Sequence, residues 1–405
     1  GIFVAPFLGS NYFQYQDILF KLGELLKVLH IGKYYFPFFG GIEKVNQDVV
    51  ECASYQAEVN SLVLAHQSER GKATCYEKIN GVEIRKVAIK KVVAYAPIAP
   101  DFLKELNQAI ADFKPDLIHI HMPNLSAFTC LLSKSARKIP WVVHWHSDVL
   151  GAAPDLKIKL LYPFYRVFEK ALLQKAKEII VTSPPYLEHS VALRTFKNKC
   201  NVIPLGIKDK VSHKKSTTQS EAFNLLMVGR LTYYKGHALM LNALSMLPSS
   251  TKIKLKIIGG GELQEELESK VHSLDLCNKV EFLGHVSEQE LVNELSNTDL
   301  LCLPSIEKTE AFGVVLLEAA MFSKPALVSN VVGSGMSWVV QHKETGFVVE
   351  NNSASAIFQQ LNSVLDDKHL LLTLGEQARV RFENSFNLEV VAIKTLNLYK
   401  KCIEQ

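Results

Sequence analysis

The chain lacks the features that mark several large classes of protein. It has no run of the roughly 18 uninterrupted apolar residues that a membrane-spanning helix needs, and its apolar segment 2–8 lacks the basic flank of a signal peptide. No cysteines have CxxC spacing, and no histidine lies at zinc-site spacing from a cysteine. The net charge of +4 is a mild excess, whereas nucleic-acid binders usually show a concentrated basic face.

These absences favour a globular protein of the cytoplasm. The cysteines are predicted to be reduced core residues, and the sequons at Asn124 and Asn351 to be chance matches, because nothing else points to secretion. With 405 residues, 48% hydrophobic and 21% charged, the chain is too long for one ordinary core and fits two α/β domains. The cysteines are Cys52, Cys75, Cys130, Cys200, Cys277, Cys302 and Cys402.

Short β-branched runs alternate with amphipathic stretches, a pattern typical of βαβ units and parallel sheets. We predict a first domain at 27–207, a polar linker at 208–221 and a second domain at 222–385. The helical pattern at 386–405 is expected to cross back and pack on the first domain. Residues 1–26 fit an added helix, a foot that touches a membrane, or a segment foreign to the domain.

The strand predictions follow the same alternation. Asn80-Gly81 stands between two strand-like runs and predicts a hairpin or tight turn. The other predicted strands are Val28–Ile31, Val59–Ala65, Leu117–Ile120, Trp141–His144, Glu178–Thr182, Asn201–Ile203, Phe223–Val228, Lys254–Ile258, Val280–Leu283, Leu300–Leu303 and Ala326–Ser329.

A pair of glycines, Gly40 and Gly41, stands where the first strand turns into a helix that begins near Glu43. Glycine lets the backbone approach a ligand closely, and a helix N-terminus offers unpaired N–H groups to phosphate. Paired glycines in such turns are also often merely steric. The segment is not a GxGxxG fingerprint, so it does not support a nicotinamide cofactor.

Two cations follow the first strand of the predicted second domain. The strand ends in Gly229-Arg230, and Lys235 opens the next helix, so both lie at the edge where open α/β sheets bind ligands. A guanidinium and an ammonium together neutralise a diphosphate. Taken alone, they fit two solvated loop residues equally well.

An acidic motif from Glu310 to Glu318 is the most informative segment. Glu310 precedes an apolar helix, and Glu318 lies about two turns inside it. An apolar helix rarely buries an acid without a partner, and ribose hydroxyls would be suitable partners. Helix capping by Glu310 and an ion pair of Glu318 are the structural alternatives. Free helix-start amides would face a phosphate. They belong to Phe312, Gly313, Val314 and Val315.

Together these segments resemble retaining glycosyltransferases of the GT-B architecture, specifically glycosyltransferase family 4 (group 1), from about Lys27 to the end of the chain. The resemblance implies an α/β fold of two Rossmann-like, doubly wound parallel-sheet domains that face a cleft. It implies that Arg230 and Lys235 bind the donor phosphates, that Glu310 contacts the donor sugar and that Glu318 holds the ribose. The Gly40-Gly41 turn resembles the family's diphosphate-facing loop.

The segment Val142–Asp148 resembles the strand-end motif whose histidine reaches the donor sugar. His144 and His146 point the same way along a strand, and His146 lies at the loop, so we choose His146. His144, His119 and His121 are expected to be buried histidines with satisfied ring nitrogens.

The backbone of Val286 is predicted to meet the nucleobase. Two departures from the family pattern affect the acceptor side. Ser323-Lys324-Pro325 replaces a small Gly-Thr before the proline, and the segment 333–338, which reads Gly-Ser-Gly-Met-Ser-Trp, is unusual.

The resemblance also implies a mechanism. A GDP- or UDP-linked hexose would be transferred with retention, through same-face attack assisted by the leaving phosphate. Arg230, Lys235 and the helix start near Phe312 would stabilise that phosphate, so no metal ion, Asp-x-Asp ligand pair or other cofactor is expected. No protein nucleophile is assigned, and no cluster of metal ligands is visible in the sequence.

The acceptor is expected to be a glycan or a lipid-linked saccharide of cell-surface polysaccharide or glycolipid synthesis. The segments 85–95 and 157–177 combine cations with aromatic residues, which suits peripheral contact with anionic lipid at the inner face of a membrane. Ordinary packing helices with a solvated face are the alternative. No nucleic-acid partner is expected.

Other functions of the same fold remain open. A sugar-nucleotide epimerase or a glucan phosphorylase would use a related architecture. A catalytically idle partner subunit would be expected to lose Arg230, Lys235 or Glu310, and all three are present.

Overall fold

The computed structural model describes residues 25–35, 41–93, 96–149, 156–211 and 221–404. Within these residues the chain forms two large sheets and a two-stranded ribbon. The described helices do not include one that is long and apolar enough to cross a bilayer.

Parts of three predictions lie outside the described residues: the N-terminal extension as far as residue 24, Gly40, and linker residues 212–220. The start of the linker is described. There Arg379 Nη1 donates to Asp209 Oδ1 at 3.1 Å, so the chain is tied to the second domain as it enters.

The first sheet is mixed and follows the predicted alternation. The strands up to the linker are β1 (Leu26–Ile31), β2 (Val59–His66), β3 (Cys75–Ile79), β4 (Val82–Val87), β5 (Lys91–Val93), β6 (Ala96–Ile98), β7 (Leu117–Met122), β8 (Trp141–Trp145), β9 (Glu178–Val181) and β10 (Cys200–Val202). Those described in the sheet have the order β10-β9-β8-β7-β1-β2-β4-β3, and β5 pairs with β6. Its pairs are parallel except β3 with β4. Asn80 and Gly81 close that hairpin at φ 48° and 86°, as the Asn-Gly signal predicts.

The second sheet is wholly parallel in the described residues. Its strands are β11 (Phe223–Val228), β12 (Ile253–Ile258), β13 (Val280–Gly284), β14 (Leu300–Leu303), β15 (Ala326–Ser329) and β16 (Gly346–Val349). Their order is β13-β12-β11-β14-β15-β16. The edge strand β16 was not predicted; unlike the other four-residue strands it begins with glycine, which is depleted in strands.

The helices cover the sheets, and several begin at readable signals. Ser183 caps a helix that opens with two prolines, and Ser287 with Glu290 forms a capping box. The described helices are α1 (Gly41–Val50), α2 (Ala53–Gln56), α3 (Phe102–Phe113), α4 (Thr129–Leu132), α5 (Leu156–Lys175), α6 (Pro184–His189), α7 (His237–Ser245), α8 (Gln264–Ser273), α9 (Glu288–Asn297), α10 (Val314–Met321), α11 (Met336–Val339), α12 (Ala354–Val364), α13 (Lys368–Arg381) and α14 (Leu388–Glu404).

The last helix, α14, returns to the first domain. Its apolar side packs on one face of the first sheet, where Val391, Leu396 and Tyr399 join Val28 and Leu117 in one buried cluster. One face of the first sheet is therefore buried by a helix from the last part of the chain.

The two domains touch through loops at the carboxyl ends of their strands. Ala311, after β14, packs against the core of the first domain. A Cβ on Gly335 would lie 2.8 Å from Ser183 Oγ, after β9. These contacts place the edges where parallel sheets bind ligands next to each other.

The cysteines are free in the described chain. The prediction that they are core residues holds for Cys52, Cys130, Cys302 and Cys402. It is wrong for Cys277, which is exposed beside His272 at the end of α8, with Sγ 3.1 Å from Nδ1.

Candidate active site

The candidate donor site lies at the carboxyl ends of β11 and β14, which are neighbours in the second sheet. β11 leads into Gly229, Arg230 and a 3-10 turn that ends in Lys235, and the loop after β14 carries Glu310. Lys235 Nζ donates a hydrogen bond to the Glu310 carboxylate, in a pair whose side chains are only 14% and 12% exposed. The fold thus joins two predicted site residues that are distant in sequence.

Gly229 makes room for the Lys235 ammonium. Its φ of 149° lies in a region that residues with a side chain rarely adopt. A Cβ there would stand 3.3 Å from both Cε and Nζ of Lys235. A larger residue would therefore push the ammonium away from Glu310.

Arg230 lies at the rim and does not contact this buried pair directly. It is 72% exposed, and its Nη2 is 3.1 Å from Glu262 Oε2. The pKa of Glu262 is lowered by hydrogen bonds from the Thr232 side chain and its own backbone amide, to which the charge of Arg230 adds. An exposed ion pair of this kind contributes little to stability, so Arg230 is free to turn toward an anionic ligand.

Tyr234 adds an aromatic ring to this site that was not predicted from the sequence. Lys235 Nζ lies 5.8 Å from the centre of the ring. The pKa of Tyr234 is raised by burial, the charge of Lys235 opposes that rise, and the charge of Glu310 adds to it. The readable signal was an aromatic pair directly before the lysine.

The helix α10 begins beside Glu310, as the acidic motif predicts. Gly313 precedes this helix at φ 80°. The first backbone amides of α10 have no acceptor within the helix. The Phe312 ring is 4% exposed and packs edge-on against Trp338 and Phe386. This burial restricts the prediction for Phe312 to its backbone amide.

Glu318 lies inside α10, as predicted, and titrates near neutrality. Burial raises its pKa to about 7; the charge of Lys210 opposes this rise and that of Glu288 adds to it. Lys210 forms its ion pair with Glu288. Because Glu288 follows the predicted base contact Val286 by two residues, the fold brings the predicted ribose and base positions near each other.

The loops after β11 and β12 interlock through glycines. A Cβ on Gly259 would lie 2.1 Å from the Gly229 carbonyl oxygen, and one on Gly261 would lie 2.4 Å from that of Leu231. Side chains at these positions would force the two loops apart. The interlock fixes the backbone on either side of Arg230.

The unusual segment 333–338 braces the Glu310 loop. Ser334 is fully buried and its hydroxyl donates to the Glu310 carbonyl oxygen. The Gly335 amide donates to the Ala311 carbonyl oxygen at 2.7 Å. The sequence did not predict this contribution to the donor site, because the segment's departure from the family pattern pointed to the acceptor side.

The first domain contributes a cavity of about 160 Å³ whose lining includes His30, Tyr34, His121 and His146. His146 follows β8, and its amide donates to the Met122 carbonyl oxygen at 3.1 Å. Burial, with a smaller effect of His121, lowers the pKa of His146 well below its usual range, so its ring is neutral. The helix α1 begins at Gly41, next to the undescribed Gly40.

His146 belongs to a row of histidine rings, all buried except the half-buried His121. We call this row the histidine face: His30, His119, His121, His144 and His146. The rings of His144 and His146 stack at 4.1 Å, which confirms that they point the same way. The expectation of satisfied ring nitrogens is wrong for His144, both of whose nitrogens are buried without a partner, and for Nε2 of His119. The cause is register: His121 lies beside His144 across β7 and β8, so imidazoles face imidazoles.

Two family models match the chain. One, for glycosyl transferases group 1, matches residues 208–381, and the other, for a glycosyl transferase 4-like domain, matches residues 40–206. Together they cover both described domains.

Individual proteins agree with these matches. The chain is 29% identical to O-antigen chain mannosyltransferase C of Escherichia coli, over 94% of this chain and 99% of that one. It is 29% identical to the D-rhamnosyltransferase WbpZ of Pseudomonas aeruginosa, over 89% and 92% of the two chains. The structure of sucrose-phosphate synthase from Thermosynechococcus elongatus superposes with a TM-score of 0.72 at 21% identity, covering 93% of this chain and 98% of that one.

Proposed function

Because this chain belongs to the group 1 glycosyltransferases of the GT-B fold, we propose that it transfers a hexose from a GDP- or UDP-linked donor to a glycan or lipid-linked acceptor, with retention. The observation that carries the proposal is the buried Lys235–Glu310 pair beside the start of α10. This arrangement sets an ammonium, a carboxylate and free helix amides around one point.

The cations and the helix start serve the leaving group. As the bond from the anomeric carbon to the phosphate oxygen breaks, negative charge grows on the nucleoside diphosphate. Lys235, Arg230 and the first amides of α10 stabilise that charge, which is the task a divalent ion performs elsewhere. We therefore propose that the transfer needs neither a metal ion nor a resident cofactor.

Glu310 and His146 serve the sugar. Glu310 accepts hydrogen bonds from sugar hydroxyls while its ion pair with Lys235 holds the carboxylate in place. His146, neutral and at the edge of the first-domain cavity, contacts the sugar from the opposite domain. The acceptor hydroxyl attacks the face that the phosphate leaves, and its proton passes to a phosphate oxygen, so no protein nucleophile is required.

The donor nucleoside is held by Glu318 and Val286. A partly buried carboxyl whose pKa is about 7 becomes a charged acceptor at little cost when two ribose hydroxyls replace its lost water. The relatives act on mannosyl and rhamnosyl groups by name, so mannose is the first sugar to test.

The acceptor side has an apolar surface that suits a lipid. Phe164, Val167 and Phe168 on α5 are 73%, 66% and 47% exposed, and Leu125 and Leu132 nearby are exposed as well. Of the other predicted basic segment, Lys86 is buried in an ion pair with Glu77 and is no part of such a surface. We propose that the exposed apolar side chains touch the inner face of a membrane during synthesis of a cell-surface polysaccharide.

The test is a donor screen read by mass spectrometry. Purified protein is incubated with GDP- and UDP-hexoses and an extract of lipid-linked saccharides, and products are fragmented to locate the added sugar. The proposal expects one hexose added and nucleoside diphosphate released only when acceptor is present. Conversion of the donor without acceptor indicates an epimerase, and dependence on inorganic phosphate indicates a phosphorylase.

A further inference from the structure

The histidine face holds a group of ring nitrogens that the transfer reaction does not use. One nitrogen each from His30, His119 and His121 lies within 4.8 Å of the other two. Nδ1 of His30 and Nε2 of His119 are buried and have no hydrogen-bond partner. Orphaned buried nitrogens are costly, so their convergence calls for a ligand.

We propose that His30, His119 and His121 bind one divalent first-row transition ion, of which Zn²⁺ is the type. Imidazole nitrogen suits zinc, cobalt, nickel and copper, and does not suit magnesium or calcium. Three histidines with a fourth, open position form a tetrahedral site. The cavity of about 160 Å³, lined in part by His30 and His121, provides space for a water molecule at that position.

The strands supply the geometry. His119 and His121 are two residues apart on β7 and so point to one face of the sheet. His30 lies directly opposite His119 across the pairing of β1 with β7. The ring centres of His30 and His119 are 5.0 Å apart, and those of His119 and His121 are 4.4 Å apart. Coordination of one ion requires side-chain rotations that bring these nitrogens, now within 4.8 Å of one another, closer together.

The outer contacts of the rings select this trio over its neighbour. Metal-bound histidines almost always hold their second ring nitrogen in a hydrogen bond. Tyr55 hydroxyl lies 3.0 Å from Nε2 of His30, and Tyr399 hydroxyl bonds Nδ1 of His119. Each tyrosine engages one nitrogen and leaves the other free.

A second trio, His121 with His144 and His146, also converges within 4.8 Å. Neither nitrogen of His144 is held by a partner. Binding there would also occupy His146, which the proposed reaction uses for the sugar. The trio of His30, His119 and His121 does not include His146, whose Nε2 lies 3.2 Å from Nδ1 of His121 and so contacts the site from outside.

The bound ion would cross-link parts of the first domain. His30 lies on β1 and the other two ligands on β7, while Tyr399 belongs to α14 at the end of the chain. Stabilisation by a ligand grows with its concentration over the dissociation constant. Free Zn²⁺ at about 100 times its dissociation constant should raise the melting temperature of the protein by about 5 to 10 °C.

The experiment uses the full chain without a histidine tag, stripped with chelator and titrated with Co²⁺. The background is Cys277→Ser, which removes the exposed thiol beside His272 as a competing site. We expect visible d–d absorption of four-coordinate Co²⁺ that saturates at one ion per chain. Zn²⁺ should displace it, and excess Mg²⁺ should not. Absence of saturable absorption overturns the proposal.

Two variants remove only the ligand atom. His119→Asn keeps a polar atom near Nδ1 for Tyr399 and lacks Nε2, and His30→Gln keeps one near Nε2 for Tyr55 and lacks Nδ1. Each should weaken Co²⁺ binding at least hundredfold and abolish the rise in melting temperature. His144→Asn is the matched control and should bind like the parent. Loss of binding in His144→Asn with retention in His119→Asn overturns the ligand assignment.

Discussion

The loops of the second domain and the histidine face of the first domain differ in whether their polar groups have partners. In the loops, the two predicted cations each have a partner of opposite charge: Lys235 pairs with Glu310, and Arg230 pairs with Glu262. In the histidine face, both ring nitrogens of His144, Nδ1 of His30 and Nε2 of His119 are buried without hydrogen bonds. Burial there lowers the pKa of His119 and of His144 well below the usual range.

The difference shows two ways of preparing a site for a ligand. Charges held by internal ion pairs are ready to exchange a partner for a phosphate or a hydroxyl, at modest cost to the fold. Neutral imidazoles without hydrogen-bond partners instead need a ligand that bonds to their free ring nitrogens. The first kind of site is suited to a charged substrate and the second to contact with a sugar or an ion.

The largest effect is expected from Lys235→Ala. Loss of the ammonium removes a fixed charge from the leaving phosphate, and turnover should fall about 100- to 1,000-fold. Measure transfer at saturating donor together with thermal melting. The matched control is Lys252→Ala, which removes an exposed cation paired with Glu221 and should leave turnover unchanged. Equal turnover in parent and Lys235→Ala would remove this pair from the site.

Substitutions of the two glutamates should affect different steps, nucleotide binding for Glu318 and sugar transfer for Glu310. Glu318→Gln should weaken nucleoside diphosphate binding by roughly tenfold or more, because a charge-assisted hydrogen bond is worth about 1.5 to 3 kcal/mol. Glu310→Gln should bind nucleoside diphosphate like the parent and lose transfer. Calorimetric titration of both variants gives the dissociation constants. A reversed pattern contradicts the assignment, and unfolding of Glu318→Gln favours a structural role for that residue.

The titration of Glu318 predicts a pH dependence. The pKa of Glu318 is raised to about 7 in the folded, unliganded protein. Protonation of Glu318 therefore favours the folded over the unfolded state at low pH, and this contribution to stability is lost as the pH rises from the unfolded pKa through 7. Ribose hydroxyls prefer the ionised form, so nucleoside diphosphate should bind more tightly from pH 6 to pH 8, by up to about tenfold. Glu318→Gln should lose this part of the dependence. An identical pH profile in the variant would contradict it.

A smaller effect is expected from Ser334→Ala. The substitution leaves the buried Glu310 carbonyl oxygen without its donor, which costs about 1 to 3 kcal/mol of unfolding free energy. Turnover should fall a few-fold, since the Glu310 loop loses a brace and keeps its charges. Ser337→Ala, three residues on, is the control. A drop in turnover equal to that of Lys235→Ala would mean that Ser334 itself contacts substrate.

Local patterns in the sequence predicted most of the fold. The strands of both sheets and the Asn80-Gly81 hairpin follow from β-branched runs and turn residues, because each pattern lies within one short segment. The strand β16 begins with Gly346, a residue type depleted in strands, and was not predicted. The prediction of a two-domain GT-B fold came from the combined motifs of the second domain, and the superposition with sucrose-phosphate synthase confirms the fold.

The sites could be predicted only in part. Lys235 and Glu310 stood out because each follows a strand, but the contact between them depends on β11 lying beside β14. The grouping of His30 with His119 depends on strand register and could not be read from spacing. The brace at Ser334 is a contact between distant loops, and no signal in its own segment indicates it.

Metal-independent transfer is tested most directly by measuring acceptor-dependent release of nucleoside diphosphate in excess EDTA. The proposed donor chemistry lies on Lys235, Arg230 and the start of α10, so release should continue at the rate seen before chelation. An ion lost from the histidine face should lower the melting temperature without stopping transfer. Complete loss of release in EDTA, restored by Mg²⁺, would contradict the account.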